Sequence, residues 1–182
     1  MRTVLTTRLK LREFRQSDWK AVQGYASDPE VVRYMDWGPN TEKDSQDFIK
    51  KSIACKRERP RRNFALAVVL RRDGTLIGGC GIYLTDSANQ EGYIGYVFNR
   101  NFWGLGYATE TARALVEFGF HELNLHRIIS WCDAENLASA RVMGKIGMTQ
   151  EAYFRQNKWI KGKWRNTLLF AILEDDNIKF ES

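Results

Sequence analysis

Cysteine is scarce in this chain of 182 residues, which has three: Cys55, Cys80 and Cys132. Widely spaced and odd in number, they imply neither a disulfide framework nor a zinc site, and no metal is expected. Histidine is rarer still, with two residues. Neither sits in a cysteine-histidine signature, so each cysteine reads as a small buried hydrophobe rather than a nucleophile. No apolar run approaches the ~18 residues of a membrane helix. Met1-Arg-Thr-Val-Leu-Thr-Thr-Arg8 lacks the apolar segment of a secretory signal. Repeats and low-complexity tracts are missing too. What remains is a soluble protein of a reducing cytoplasm, and its 43% hydrophobic and 13% aromatic content is ample for one packed domain over 1–182.

The stretch Glu91-Gly-Tyr-Ile-Gly-Tyr-Val-Phe-Asn-Arg-Asn-Phe-Trp-Gly-Leu-Gly-Tyr-Ala-Thr-Glu110 organises the rest. Tyr93 to Phe98 is rich in aromatic and β-branched residues, which predicts a strand. Gly104 and Gly106 follow. From Tyr107 onward Ala108, Ala112, Leu115, Val116 and Gly119 recur at helical spacing, with Glu110, Arg113, Glu117 and His121 on the other side. The first turn of such a helix has N–H groups without intrahelical partners and carries partial positive charge. Glycines just before it permit positive φ and close approach to the backbone. The combination suits an anion such as phosphate; a strand-to-helix turn with glycines for geometry alone has the same letters.

In chain order, Thr7 to Phe14 alternates, with Leu9 and Leu11 on one face and Arg8, Lys10 and Arg12 on the other, as in a half-exposed first strand. Ser17 is the expected N-cap of a helix from about Asp18 to Ala26. Asp28-Pro-Glu-Val31 is expected to restart a short helix. Thr41 or Asp44 starts a helix ending near Lys56, and Lys56-Arg-Glu-Arg-Pro-Arg-Arg62 is the densest basic run. That run is either a patch for ribosomal RNA or acidic protein, or a solvated linker; Glu58 and Pro60 interrupt it and no aromatic is interleaved, which favours the linker. Asn63–Leu70 and Thr75–Leu84 read as strands joined by Arg71-Arg-Asp-Gly74, a strong hairpin signal. Gly78, Gly79 and Gly81 suggest a bulge or close packing. Arg127 to Cys132 is a strand that can lie parallel to Tyr93–Phe98, because the intervening helix supplies a crossover. Diverging parallel neighbours would leave a crevice. Asn136 caps a helix over Leu137–Ile146 that stops at Gly147, and Gln150–Trp159 with Trp164–Leu173 forms a closing hairpin.

Trp103-Gly-Leu-Gly-Tyr-Ala-Thr-Glu110 resembles the pyrophosphate loop of the GNAT superfamily of N-acetyltransferases, in the form of its Rim-type branch, the RimJ/RimL-like ribosomal-protein N-terminal acetyltransferases. The family's Gln/Arg-x-x-Gly-x-Gly/Ala pattern has Asn101 at its first position here. Asn136-x-x-Ser139-x-Arg141 through Gly147-Met148 resembles a second family segment, with Met148 replacing the usual phenylalanine. Thr7-Arg-Leu-x-Leu-Arg12, Asp18 and Asp28-Pro-Glu-Val31 also resemble the branch, as do Glu151-Ala-Tyr-Phe-Arg155 and Gly162-Lys-Trp-Arg-Asn166, with Asn166 for the common aspartate. The resemblance implies an α/β (α+β) GNAT fold: a mixed, mainly antiparallel sheet of about seven strands flanked by helices, whose splayed parallel pair holds CoA.

It implies in turn that acetyl-CoA is the cosubstrate. Backbone groups of Tyr96, Val97 and Phe98 would pair with pantetheine, and an N–H near Val97 would face the thioester oxygen. Trp103, Gly104, Leu105, Gly106, Tyr107, Ala108 and Thr109 would hold the diphosphate. Asn136, Ser139 and Arg141 would contact the CoA arm, with Arg141 and Lys145 near its 3′-phosphate. The net charge of +6 suits such an anion, and equally ribosome or nucleic acid; no motif for reading a nucleic acid is present.

Acetyl transfer to an amine needs the amine neutral. An α-amino group, with a pKa of about 8 against about 10.4 for lysine, needs little help, so the expected acceptor is a protein N-terminus attacked directly. A polyamine, an antibiotic or another small amine is the alternative within the same chemistry, and a non-catalytic acetyl-CoA-binding or ribosome-associated module lies outside it. A homodimer is a further open expectation. Rim-type enzymes often carry a glutamate where this chain has Tyr93; Glu91, one pair further out, is the nearest substitute base, or else a solvated strand-edge carboxylate. The tyrosine that many members use to protonate the thiolate would fall at Met143. Ser139 is the branch's candidate for that role, or a helix cap.

Overall fold

The computed structural model describes residues 3–177. Eight strands form one sheet: β1 (Val4–Leu5), β2 (Leu9–Glu13), β3 (Asn63–Leu70), β4 (Leu76–Asp86), β5 (Glu91–Phe98), β6 (Arg127–Asp133), β7 (Thr149–Ile160) and β8 (Lys163–Leu173). Their order across the sheet is β1-β2-β3-β4-β5-β6-β8-β7. Every neighbouring pair is antiparallel except β5 and β6. The mixed, mainly antiparallel architecture is the expected one, and the eighth strand is β1, two residues paired to the outer edge of β2. Two residues are too few to show an alternation, which is why the sequence does not announce it.

Leu9 and Leu11 are fully buried, as the alternation in β2 requires. The β3–β4 hairpin turns on Gly74 at φ 76°, with Leu70 N–H donating to Thr75 O at 2.8 Å. On β4 the expected close packing is real: a Cβ on Gly78 would lie 2.3 Å from Val97 O.

Helices cover both faces. On one lie α3 (Tyr107–Leu123) and α4 (Leu137–Lys145), over a core that includes Leu66, Ile82, Ile94, Leu115 and Ile128. On the other lie α1 (Trp19–Ala26) and α2 (Glu42–Ala54), over Phe14, Val22, Tyr25, Val32 and Ile49. A last turn, α5 (Glu174–Asn177), follows β8. Thr41 caps α2, its hydroxyl accepting from Asp44 N–H at 3.2 Å.

Two expectations near α1 are corrected. Ser17 does not cap the helix; it lies in a 3-10 turn over Gln16–Asp18. Asp18 does the stabilising there, accepting from Arg15 N–H at 2.8 Å and pairing with Arg12 at 2.7 Å. No helix restarts at Asp28: residues 29–34 form turns. Gly38 at φ 69° followed by Pro39 stops the chain before enough bonds accumulate to repay helix nucleation. In the basic run, Lys56 and Arg61 turn inward onto Glu13, at 3.3 and 2.7 Å. Residues 57–60 are exposed.

Candidate active site

The site begins where a ladder stops. β5 and β6 pair only from Glu91, Gly92 and Tyr93 to Arg127, Ile128 and Ile129. Beyond that row they splay, so the expected fork is present. At its base the buried hydroxyl of Ser130 donates to Ile94 O at 2.9 Å, a side-chain bond taking over from the backbone ladder. Because backbone groups of alternate residues face the same side of a strand, the orientation of Ile94 O turns Tyr96 and Phe98 toward the gap as well. Leu84 N–H donates to Arg62 O on the far side of β4, and Asn99 N–H donates to Ile77 O. Both bonds fit this phase, which points Val97 at β4. The strand amide open to the fork is therefore that of Tyr96, not that of Val97. Phe98 O already accepts from the Trp103 indole N–H at 2.9 Å.

A cleft of about 900 Å³ runs from the fork across the α1 and α2 face of the sheet. Gly95 and Val97 line its floor, Tyr34 and Trp37 one rim, and Lys158 and Arg165 of the closing hairpin the other.

Outside the cleft, at the open end of β5, the glycine loop leads into α3. Gly104 and Gly106 take φ values of 74° and 80°, the left-handed region that favours glycine, and Gly106 is the N-cap of α3. Nothing lies within 4 Å of where a Cβ on Gly104 would point. Glu110 N–H donates to Gly106 O at 3.1 Å, the first bond of the helix; the amides ahead of it are the free donors of a first turn. Trp103 and Leu105 are half exposed beside them. A diphosphate fits this cradle: open backbone, left-handed glycines and a helix start in one place.

One side chain shapes the loop from outside. The Arg8 guanidinium donates to Leu105 O at 2.9 Å and stacks on the Tyr107 ring at 4.5 Å. Its Nε pairs with Glu110 at 2.7 Å.

Across the fork, Asn136 caps α4 by accepting from Ser139 N–H at 3.1 Å. The Ser139 hydroxyl stands 3.0 Å from the Tyr96 hydroxyl, so the two candidate residues meet. Burial pushes Tyr96 up, outweighing the bond from Ser139. Burial, with Asp133 beside it, pushes the Cys132 thiol up to about 11. Arg141 and Lys145 are exposed on α4. Met143 is fully buried in the core.

Glu91 is elsewhere. It sits in the first of the three paired rows, the one farthest from the fork, bonded to the Thr85 hydroxyl at 2.9 Å and to Arg127 Nε at 3.0 Å. On its face the next residue along the strand is Tyr93, which stacks on Trp131 at 4.1 Å. The cleft wall includes Tyr93 and not Glu91.

The acetyltransferase (GNAT) domain model matches residues 8–149. The chain belongs to the GNAT acetyltransferase family. Membership makes it an N-acetyltransferase with acetyl-CoA as donor. An uncharacterised N-acetyltransferase of Bacillus subtilis is 40% identical over 174 residues, 95% of this chain and 98% of the relative. A GNAT acetyltransferase of Bacillus anthracis has a similar crystal structure, with a TM-score of 0.85 at 36% identity, covering 96% of this chain and 99% of that one. More distant relatives divide by name: a putative ribosomal N-acetyltransferase of Bacillus subtilis is 28% identical over 56% of each chain. The spermidine N(1)-acetyltransferase of Escherichia coli is 23% identical over 91% of this chain and 86% of its own.

Within this GNAT domain the sequence locates the loop, β5 and α4, but two contributors escape it, and a third is expected for its backbone alone. Arg8 is the first of three alternating cations leading into and along β2, and nothing local marks it as the residue that reaches the loop. Ser130 looks like a polar interruption of a short apolar strand. Tyr96 is expected to pair with pantetheine through its backbone, and its hydroxyl in addition crosses to α4.

Proposed function

We propose that the protein acetylates the α-amino group of a protein or peptide N-terminus by direct attack on the thioester, as a member of the Rim-type branch. The observation that supports this most is the charge of the cleft. A polyamine is a polycation and calls for a trough of unpaired carboxylates. Here Asp133 is held by Arg165 at 3.0 Å and Asp47 by Lys43 and Lys50 at 3.1 and 3.3 Å. Asp44 accepts from the Thr41 hydroxyl at 2.6 Å, and Asp36 shares the cleft wall with the cations Lys51 and Lys158. With Glu91 in its own ion pair, no carboxylate among the described residues is poised at the fork to strip a proton from a strongly basic amine. An α-amine, partly neutral near pH 7, does not need one.

The chain's residues then have these tasks. The loop amides of 104–109 and the α3 start hold the diphosphate. The Tyr96 N–H is the preorganised donor for oxygen charge, a role worth about 3 kcal/mol where one such donor has been removed. The Ser139 and Tyr96 hydroxyls are the nearest proton donors for a departing thiolate.

The test is thiol release from acetyl-CoA over a panel of peptides with free N-termini, the same peptides blocked, spermidine, spermine and free lysine. Turnover confined to unblocked peptides is expected. Turnover confined to the polyamines overturns the N-terminal assignment.

A further inference from the structure

The floor of the cleft carries two tyrosines in register, Tyr83 on β4 opposite Tyr93 on β5, and two residues toward the fork a pair of glycines, Gly81 opposite Gly95. Both rings lie back over the glycine of their own strand. A Cβ on Gly81 would come within 2.9 Å of the Tyr83 hydroxyl, and one on Gly95 within 3.1 Å of the Tyr93 hydroxyl. The glycine pair is thus a notch in an otherwise pleated surface, and the two phenol hydroxyls occupy it side by side. The rings are fixed from the side: Tyr93 stacks on Trp131 at 4.1 Å and 22° and lies 5.9 Å from Tyr83. Among the described residues neither hydroxyl has a hydrogen-bond partner, although both tyrosines line the cleft. A phenol against protein usually finds a partner, and two adjacent ones lacking it at a cleft floor point to a small polar group from outside. The notch lies one residue from Tyr96, whose amide faces the fork.

We propose that the Tyr83 and Tyr93 hydroxyls are the seat of the acceptor amine, each phenol oxygen accepting an N–H of the neutral amine so that its lone pair is left for the thioester. The inference rests on the reading of this cleft as the acceptor site and narrows its substrate class. Burial raises both phenols above their ordinary range, so they stay protonated and take no proton from an ammonium. In the transfer the nitrogen–carbon bond forms, the carbon–sulfur bond breaks, and the proton lost by nitrogen ends on the thiol. A seat without a base admits amines by their neutral fraction, which at pH 7 is about two hundredfold larger for an α-amine than for a lysine side chain. The stacked rings leave an apolar surround for a short, uncharged first residue.

The experiment uses Tyr83→Phe, Tyr93→Phe and Gly95→Ala. The two phenylalanine variants keep the stacked rings, and the alanine pushes the Tyr93 hydroxyl out of its notch. Each is expected to lower kcat/KM for the best peptide acceptor about fivefold to tenfold, the worth of one hydrogen bond. The KM for acetyl-CoA and the unfolding midpoint of the phenylalanine variants are expected to stay unchanged. Peptide binding to the CoA-loaded protein, followed by calorimetry, is expected to weaken in parallel. Unchanged kcat/KM in both phenylalanine variants, an equal rise in KM for both substrates, or no peptide binding to the CoA-loaded wild type overturns the seat. Polyamine-only turnover that still falls in the tyrosine variants overturns the N-terminal assignment and leaves the seat standing.

Discussion

Arg8 and Glu110, 102 residues apart, meet at 2.7 Å and together brace the glycine loop from the entry of β2. Glu110 also accepts from the Arg8 amide at 2.8 Å and the Thr6 hydroxyl at 2.6 Å, so one carboxylate fixes both the entry of β2 and the first turn of α3. Freed from it, Arg8 loses the anchor that aims it at Leu105 O. Glu110→Ala is expected to cost about 1–2 kcal/mol of stability and to weaken CoA binding by about tenfold, with kcat at saturating acetyl-CoA nearly unchanged. Calorimetric titration with CoA and urea unfolding read the two effects. Arg8→Ala is expected to weaken CoA equally, and the double variant little more, because the two residues act as a unit.

The same carboxylate gives a pH dependence. Burial alone would raise the Glu110 pKa, but the bonds from Thr6 and Arg8 outweigh it and leave the group below its ordinary value. Asp18 behaves alike, burial again being offset by Arg12 and the Arg15 amide. A folded-state pKa below the unfolded one adds stability that is full above the unfolded value, about 4 for these groups, and is lost as pH falls through the folded value. Stability is therefore expected to be insensitive to these two groups from pH 5 to 8 and to decline below about pH 4. Tryptophan fluorescence during acid titration checks this, and Glu110→Gln is expected to flatten the decline.

Ser130 is the stitch at the base of the fork. Removing its hydroxyl leaves the buried Ile94 O without that partner, at a cost of about 1–2 kcal/mol. Ser130→Ala is expected to lower the urea midpoint by that amount and to raise the KM for acetyl-CoA severalfold, because the spacing of β5 and β6 is no longer held where they part. An unchanged KM would mean that the fork keeps its shape through packing alone.

How much of this was legible in the sequence follows from how local each signal is. The Gly104–Gly106 loop, the Asn136 cap and the Asp73-Gly74 hairpin are set by a few adjacent residues, and each appears where the pattern puts it. Parity along β5 is also local, but which parity faces the fork depends on the pairing of Leu84 with β3 and of Asn99 with β4. The choice between the Tyr96 and Val97 amides therefore needs the register. The surroundings of Glu91 need the register for a related reason: it shares a face with Tyr93, yet its row lies at the end of the parallel ladder away from the fork, where Arg127 pairs with it. The helix expected after Asp28 fails because its local preferences are outvoted by the turn at Gly38. Contacts such as Arg8 with Leu105, or Tyr83 beside Tyr93, join distant segments and leave no mark in spacing.

Arg165 enters the cleft wall from β8 with only 5% of its side chain exposed, facing Asp133 at 3%. Nε and Oδ2 are 3.0 Å apart but misaligned for a hydrogen bond, so the attraction between them is electrostatic. The second partner, Glu135 at 2.8 Å, lies at the surface. Removing one member of a buried pair strands the other, typically at 3–5 kcal/mol. Arg165→Met is expected to destabilise by about that much in urea unfolding. Adding Asp133→Asn, which keeps the side-chain acceptor for Glu135 N–H, is expected to recover more than half of the loss.

Glu91 offers the sharpest separation of structure from chemistry. Its carboxylate bonds the Thr85 hydroxyl and Arg127, and Arg127 is shared with Glu151, so the cluster ties four strands at the closed end of the fork. A general base contributes about 10²–10⁴ in rate and must stand within hydrogen-bond reach of the amine, directly or through one water. The Glu91 carboxylate is held by an arginine and lies outside the cleft wall, which Tyr93 and Trp131 form on its side. Glu91→Gln is therefore expected to keep kcat for the preferred amine within about twofold of wild type, far short of the loss a base would show. The stability cost is expected to be about 1 kcal/mol or less, because both partners are about a quarter exposed. Steady-state kinetics across pH 6 to 9 decide the point: a hundredfold fall in kcat, or loss of the rising limb of the profile, would return the role of base to Glu91. An unmoved profile leaves proton removal to the amine's own pKa, the behaviour expected of an acceptor that arrives already neutral.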